Sequence, residues 1–166
     1  MPIVDSFIAE LDREAGITRR VLERVPEDKL KWQPHPKSMS LGQLALHIAS
    51  LPGHLAEVFS LDSWERPEMG VRAEPASKDE ILSSFEAAQE KARKTLGFWD
   101  DARAQASWSL TKDGEALLSA PRIGMVRGLM MNHAYHHRGQ LAVYLRMLNV
   151  PVPSIYGPSA DENPFA

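Results

Sequence analysis

Hydrophobic residues recur at steps of three and four positions in four separate stretches of the chain, which is the spacing of amphipathic helices. These stretches predict a first helix over about residues 5–24, a second over 41–58, a third over 78–99 and a fourth over 121–148. No stretch shows the sustained alternation of apolar and polar residues that is typical of a β-strand. The pattern therefore predicts an all-α protein.

Local signals mark where these helices begin. Ser40–Gln43 and Ser77–Glu80 each have the spacing of a capping box, in which two side chains satisfy free backbone donors at a helix start. Pro121 fits the first turn of the fourth helix, and Pro52–Gly53 predicts a bend rather than an end in the second. Four helices joined by connections of about 12 to 22 residues favour a four-helix bundle with at least one crossover connection.

The composition is that of one ordinary globular domain spanning residues 1–166. Hydrophobic residues make up 43% and charged residues 25% of the chain, which excludes disordered and fibrous classes. There is no cysteine, so disulfides, thiolate metal sites, iron–sulfur clusters and a cysteine nucleophile are all excluded. Any metal ion must be held by histidine, carboxylate or water.

Charge and hydropathy limit the kinds of partner that the chain is expected to bind. The formal net charge is −3 and the basic residues are scattered, whereas nucleic-acid binding usually needs a basic patch that neutralises phosphates. No apolar run approaches the roughly 18 to 20 residues that cross a bilayer, and the first residues do not resemble a signal peptide. We therefore expect no nucleic-acid partner, no membrane partner and a cytoplasmic location.

Three of the six histidines lie close together in the fourth helix. On a wheel of about 100° per residue with His133 at zero, the apolar residues of this helix centre near 40°. His137 lies at about 40° on that wheel, His136 at about −60° on the flank, and Arg138 points nearly outward. His133 and His137 are therefore the inward pair, one turn apart, which can converge on one metal ion.

A third metal ligand has to come from another helix, and His47 is the candidate. It lies towards the edge of the apolar sector of the second helix, whereas His54 is about 10 Å further along the axis and is expected to line an approach to the site. A single histidine on an apolar face is more often a packed residue than a ligand. Three such histidines favour a shared ion, because burying several imidazoles without partners is costly.

Several short motifs occur in an order that resembles one protein family. They are His-x-x-x-His-Arg-Gly-Gln at His133–Gln140, the segments Trp32–Pro34 and Leu44–Ala49 before it, and Tyr144–Arg146 and Ile155–Glu162 after it. Together they resemble the DinB/YfiT-like superfamily of metalloenzymes, which is unrelated to the DNA polymerase that shares the name. The resemblance covers nearly the whole chain.

The resemblance implies a four-helix bundle with crossover topology and a three-histidine metal site at His47, His133 and His137. Zinc or nickel is the expected ion, and three imidazoles leave one or more coordination positions open, as in catalytic sites. The resemblance also makes a homodimer reasonable. Relatives with known activities include thiol-dependent S-transferases and a thiol-dependent isomerase, and many members have no assigned reaction.

Two classes of function follow. The first is a metal-dependent enzyme that acts on a small molecule, either transferring a low-molecular-weight thiol to an electrophile or performing metal-assisted hydrolysis. The second is a non-catalytic metal-binding, stress-response or interaction protein.

Glu57 and Glu86 are candidates for a general base, although each is more often a solvated surface charge. Large aromatic residues are candidates for a pocket lining, although such residues more often pack loops onto a core: Trp32, Trp64, Trp99 and Tyr156.

Overall fold

The computed structural model describes residues 2–68, 70 and 72–165. The chain is mostly helical, with α1 at Ile3–Glu23, α2 at Leu41–Ser60, α3 at Lys78–Gly97, α4 at Asp101–Gln105, α5 at Arg122–Met125 and α6 at His133–Met147. A 3-10 turn covers Glu27–Lys29, a π-helical segment covers Val126–Asn132, and three strands cover Ser63–Glu65 (β1), Ser107–Lys112 (β2) and Glu115–Pro121 (β3).

The four predicted helices are present. The first three correspond to α1, α2 and α3, and the fourth corresponds to α5, the π-helical segment and α6 in direct succession. α2 packs along α3, α1 packs against α3 and α6, and α6 also packs against α2. None of the helices in the described residues combines the length and the hydropathy needed to cross a bilayer.

The expectation of an all-α chain is wrong, because the described residues include a three-stranded sheet in the order β1-β2-β3. β1 pairs with β2 in parallel, and β2 pairs with β3 as an antiparallel hairpin. The hairpin turns at Asp113 and Gly114, whose φ angles of 52° and 81° suit a tight turn. An Asp-Gly pair between short strands is a strong hairpin signal, but β2 is too short to show sustained alternation.

The predicted helix starts are confirmed at α2 and partly at α3. The Ser40 hydroxyl accepts a hydrogen bond from the Gln43 amide while the Gln43 side chain accepts one from the Ser40 amide, so this capping box is complete. Ser77 caps α3, but the Glu80 carboxylate accepts its hydrogen bond from the Ala76 amide instead. α2 continues through Pro52 without ending.

The buried apolar side chains form two clusters. One lies around Phe59, Trp108 and Met130, where the sheet packs onto α2 and the π-helical segment. The other lies around Leu44 and Leu141, where α2 and α6 meet. The helices that carry the candidate ligands are therefore held by apolar packing on both sides of the histidines.

The predicted outward direction of Arg138 is wrong, because the side chain is only 1% exposed. The buried residues of α6 are His137, Arg138, Leu141 and Leu145, and on the same wheel they centre at about 95°, not 40°. The 40° estimate counted Tyr144 and Leu148, at about 20° and 60°, which are only half-buried, and left out Leu145 at about 120°. The buried face of α6 thus lies between the directions of His137 and Arg138.

Candidate metal centre

Two helices bring the three predicted ligands together. His47 lies in the middle of α2, His133 is the first residue of α6, and His137 follows one turn later. One ring nitrogen from each lies within 4.8 Å of the others. The ring centroids are 4.5 Å apart for His133 and His137, 4.7 Å for His47 and His137, and 5.3 Å for His47 and His133. The predicted set is therefore a spatial cluster.

Hydrogen bonds on the outer side of two rings define which nitrogen faces the cluster. His137 Nδ1 lies 2.7 Å from the Gln140 side-chain oxygen, and His133 Nδ1 lies 3.3 Å from the Leu129 carbonyl oxygen. Because both partners are acceptors, each Nδ1 carries the proton and donates it. The Nε2 atoms of His133 and His137 then present lone pairs to each other at 2.7 Å.

Two lone pairs at that distance repel each other unless a cation lies beside them. His47 adds a third nitrogen that lacks a partner, because its Nε2 is buried and makes no hydrogen bond to the described residues. A buried polar atom without a partner is costly, and in native proteins it usually indicates a ligand or an ion. Three ring nitrogens within 4.8 Å of one another fit a divalent transition metal, for which neutral imidazole is a preferred ligand.

The protonation state also suits metal binding. The pKa of His47 is lowered to about 4, mainly by burial and in addition by the nearby charges of His137 and Arg72. Burial is likewise the main cause that lowers the pKa of His133 and of His137. All three imidazoles are therefore neutral near pH 7, which is the form that ligates a metal.

The other two histidines considered at the sequence level lie outside the cluster. His136 is exposed, which agrees with its predicted place on the flank of the helix. His54 is also exposed, and its ring packs edge-on against Trp64 at a centroid distance of 5.7 Å. Both His54 and Trp64 border an open cleft beside the cluster, as expected for an approach to the site.

This cleft, which we call the histidine cleft, has a volume of about 520 Å³. His47 and His133 line it on one side, and apolar side chains that include Leu51, Leu55, Trp64 and Leu129 line much of the rest. The volume lies within the range of small-molecule sites, which are commonly apolar with a few polar groups. A small molecule in the cleft would therefore reach the histidines.

Arg72 also lines the histidine cleft, and sequence reasoning missed it. Its positive charge lowers the pKa of His47, His133 and His137, so it lies close enough to influence the whole cluster. A single arginine in a connection without regular structure has no spacing pattern that would identify it. Only the folded arrangement of the chain brings it to the histidines.

The buried Arg138 was missed for a different reason, since the wheel directed it outward. Its guanidinium donates hydrogen bonds to the Glu14 carboxylate at 2.8 Å, to the Thr18 hydroxyl at 2.9 Å and to the Tyr156 hydroxyl. Tyr156 in turn donates to Glu14 at 2.8 Å. This network ties the C-terminal segment and α1 to the residue that follows His137.

The remaining candidates are not brought to the cluster. Glu57 pairs with Lys91, and Glu86 pairs with Arg19, in each case through exposed side chains. Both acids are thus surface charges. Among the aromatic candidates only Trp64 borders the histidine cleft, because Trp32 packs against Tyr144, Trp99 is buried in the core, and Tyr156 joins the Arg138 network.

A comparison with protein families identifies the family of the chain. The family model of the DinB family matches residues 1–164. The chain therefore belongs to the DinB family, as the motifs around the histidines indicated.

Individual proteins are similar to this chain in sequence or in structure. The uncharacterized protein YrdA of Bacillus subtilis (strain 168) is 26% identical over 162 residues, which are 96% of this chain and 91% of that protein. A DinB-like protein from Bacillus cereus ATCC 10987 has a similar crystal structure, with a TM-score of 0.72 and 22% identity over 92% of this chain and 97% of that one. The DinB-like protein YjoA of Bacillus subtilis has a TM-score of 0.66 and 19% identity over 88% and 95%. These two structures support the fold.

Proposed function

We propose that this chain is a metal-dependent enzyme in which His47, His133 and His137 hold a zinc or nickel ion beside the histidine cleft. The observation that carries the proposal is the convergence of one ring nitrogen from each histidine within 4.8 Å, together with the 2.7 Å approach of two Nε2 atoms and the buried, unpartnered Nε2 of His47 among the described residues. In this proposal the fold that carries the site is a four-helix bundle with crossover connections, together with the three-stranded sheet.

The chain's own residues hold and orient the ligands. The Gln140 oxygen and the Leu129 carbonyl accept from Nδ1 of His137 and His133, which fixes both rings with Nε2 inward. Among the described residues no acidic side chain joins the three histidines, so the protein supplies three ligands and leaves a position open. An ion held there lowers the pKa of a coordinated water or thiol.

Two reactions match that chemistry. One is transfer of a low-molecular-weight thiol to an electrophile, and the other is metal-assisted hydrolysis. The histidine cleft favours an enzyme over a non-catalytic metal-binding, stress-response or interaction protein, because it gives a small molecule access to His47 and His133. A homodimer, as implied by the family resemblance, is part of the same proposal.

Elemental analysis of the purified chain tests the metal site. We expect near-stoichiometric zinc or nickel in the parent and loss of the metal in His137→Ala. The matched control is His136→Ala, which removes an exposed neighbouring imidazole and should leave the metal content unchanged. Equal metal content in the parent and in His137→Ala would contradict the proposal.

A second measurement addresses catalysis. The metal-loaded chain is assayed with electrophiles in the presence of several small thiols, and separately with simple esters and amides. We expect acceleration in one of these panels that disappears after chelation and in His137→Ala, and that persists in His136→Ala. Full metal occupancy without acceleration in either panel would favour the non-catalytic alternative.

A further inference from the structure

The charges around the histidine cleft are unbalanced. No Asp or Glu belongs to the histidine cluster among the described residues, while the positive charge of Arg72 acts on all three imidazoles. The described part of the chain also contains no acidic side chain paired with Arg72, although many other arginines are paired. Among the described residues, Arg72 therefore brings a positive charge without an acidic partner to the space beside the histidines.

Arg72 borders the free space on more than one side of His47. It lines the histidine cleft of about 520 Å³, and it also lines a smaller recess of about 160 Å³ that contains His47 and Gln43. The Gln43 side chain donates a hydrogen bond to the Arg72 carbonyl oxygen at 3.2 Å, which ties the backbone at this position to the start of α2. Among the described residues the Arg72 guanidinium has no hydrogen-bond or ion-pair partner, so it can contact a bound molecule.

The rest of the cleft is apolar. Leu51, Leu55, Trp64 and Leu129 all contribute to its walls, and Leu129 is 38% exposed although it is a large hydrophobic residue. A wholly polar ligand would leave these surfaces wet, whereas an apolar body would cover them and gain the free energy of burial. An arginine at the edge of an apolar cleft is suited to bidentate recognition of a carboxylate or phosphate.

We propose that the substrate of this site is a small molecule with an apolar body and an anionic group, in which Arg72 binds the anion and the apolar wall of the histidine cleft covers the body. This inference rests on the proposed function, because it names the substrate class of the same site. Arg72 is a specificity residue in this scheme. The positive charge of Arg72 also attracts anionic molecules to the cleft and would raise their association rate.

The test compares matched probes on the full chain, with zinc and without it, by NMR chemical-shift titration. The probes are 4-phenylbutanoate, its neutral counterpart 4-phenylbutan-1-ol, and 3-phenylpropyl phosphate as a second anion. We expect each anion to bind about five-fold or more tightly than the alcohol in both forms of the parent. In Arg72→Gln this preference should fall below about two-fold.

Two variants serve as controls. Arg66→Gln removes a charge from the same connection, in a groove with Lys112 that does not include the histidines, and should keep the full preference. Leu129→Ser should weaken acid and alcohol by a similar factor and leave their ratio unchanged, because it alters only the apolar wall.

Equal binding of anions and alcohol by the parent would overturn the inference, and so would a preference that survives Arg72→Gln. A preference found only with zinc and unaffected by Arg72→Gln would assign anion binding to the metal and also overturn it. If the parent holds no metal, the proposed function fails, but the titration of the metal-free chain still decides whether Arg72 selects anions. The two failures are therefore distinguishable.

Discussion

Replacing Gly53 with alanine should destabilise the protein, even though alanine is the better helix former. Gly53 lies inside α2, where this change alone would gain about 1 kcal/mol in an unhindered helix. A Cβ atom at Gly53 would lie 2.8 Å from Ala88 Cα, 2.9 Å from the Ala88 carbonyl oxygen and 3.1 Å from Ala88 Cβ. α2 and α3 pack in close contact at this point.

The magnitude follows from these distances. Carbon atoms in contact prefer about 3.5 to 4.0 Å, so α2 and α3 would have to separate by about 0.7 Å, and a gap of that size forfeits a quarter to a half of each neighbouring contact. Overpacking costs about 1–3 kcal/mol, and the cost should be near the upper end because the two nearest atoms are backbone atoms, which cannot rotate away. After subtracting the propensity gain we expect a net loss of about 2 kcal/mol.

Urea unfolding of the metal-free chain, followed by circular dichroism, measures this loss. Gly16→Ala is the matched control, because Gly16 lies inside α1 and a Cβ atom there would meet nothing within 4 Å. That variant should gain up to about 1 kcal/mol. Adding Ala88→Gly to Gly53→Ala should not restore stability, since the Cα and carbonyl contacts persist. A Gly53→Ala chain as stable as Gly16→Ala would refute the reasoning.

Two further substitutions and a change of pH have outcomes that follow from the structure. Arg138→Leu should cost about 3–5 kcal/mol in urea unfolding, because the buried Glu14 carboxylate loses its buried cationic partner and keeps only the Tyr156 hydroxyl and the exposed Arg13 at 3.9 Å. Gln140→Ala should weaken zinc binding about 10- to 100-fold in a chelator competition, because His137 Nδ1 loses its acceptor. The stability of the metal-free chain should be full above about pH 6.5 and fall as the pH drops towards 4, since the unfolded chain protonates His47 before the folded chain does.

Each of these three predictions has its own control or contrary outcome. The double variant Arg138→Leu with Glu14→Leu should recover stability relative to Arg138→Leu, and failure to do so would mean that the loss does not come from a stranded charge. Unchanged zinc affinity in Gln140→Ala would show that its oxygen does not fix the ring. In His47→Phe the decline between pH 6.5 and 4 should be smaller than in the parent, and an equal decline would remove His47 as a cause.

The periodic part of the fold was predictable from sequence, because α1, α2 and α3 each bury one face and their apolar residues recur at helical spacing. The hairpin of β2 and β3 was not predicted, since its strands are six and seven residues long and β3 is mostly exposed, so there is little alternation to detect. The Asp113–Gly114 pair was the one local signal available for it.

The candidate site was predictable as far as the ligands are concerned. His133 and His137 follow from a four-residue step within one α-helix, and that step is unaffected by the π-helical segment because both residues lie beyond it. Arg138 was misplaced because its direction was measured from a face that counted the half-buried Tyr144 and Leu148 and left out the buried Leu145. Arg72 depends on how a connection folds against α2, which no spacing rule describes.

The position of the ligands on only two helices also has a consequence for how this site can evolve. His47, His133 and His137 belong to α2 and α6, which are anchored by core packing, whereas Trp64, Pro67 and Arg72 belong to β1 and the connection after it. Substitutions in that outer segment can change the shape and charge of the cleft while the ligand geometry stays intact. Under the proposed function, selection for new substrates would therefore act on one part of the chain without first losing the metal chemistry proposed for the other.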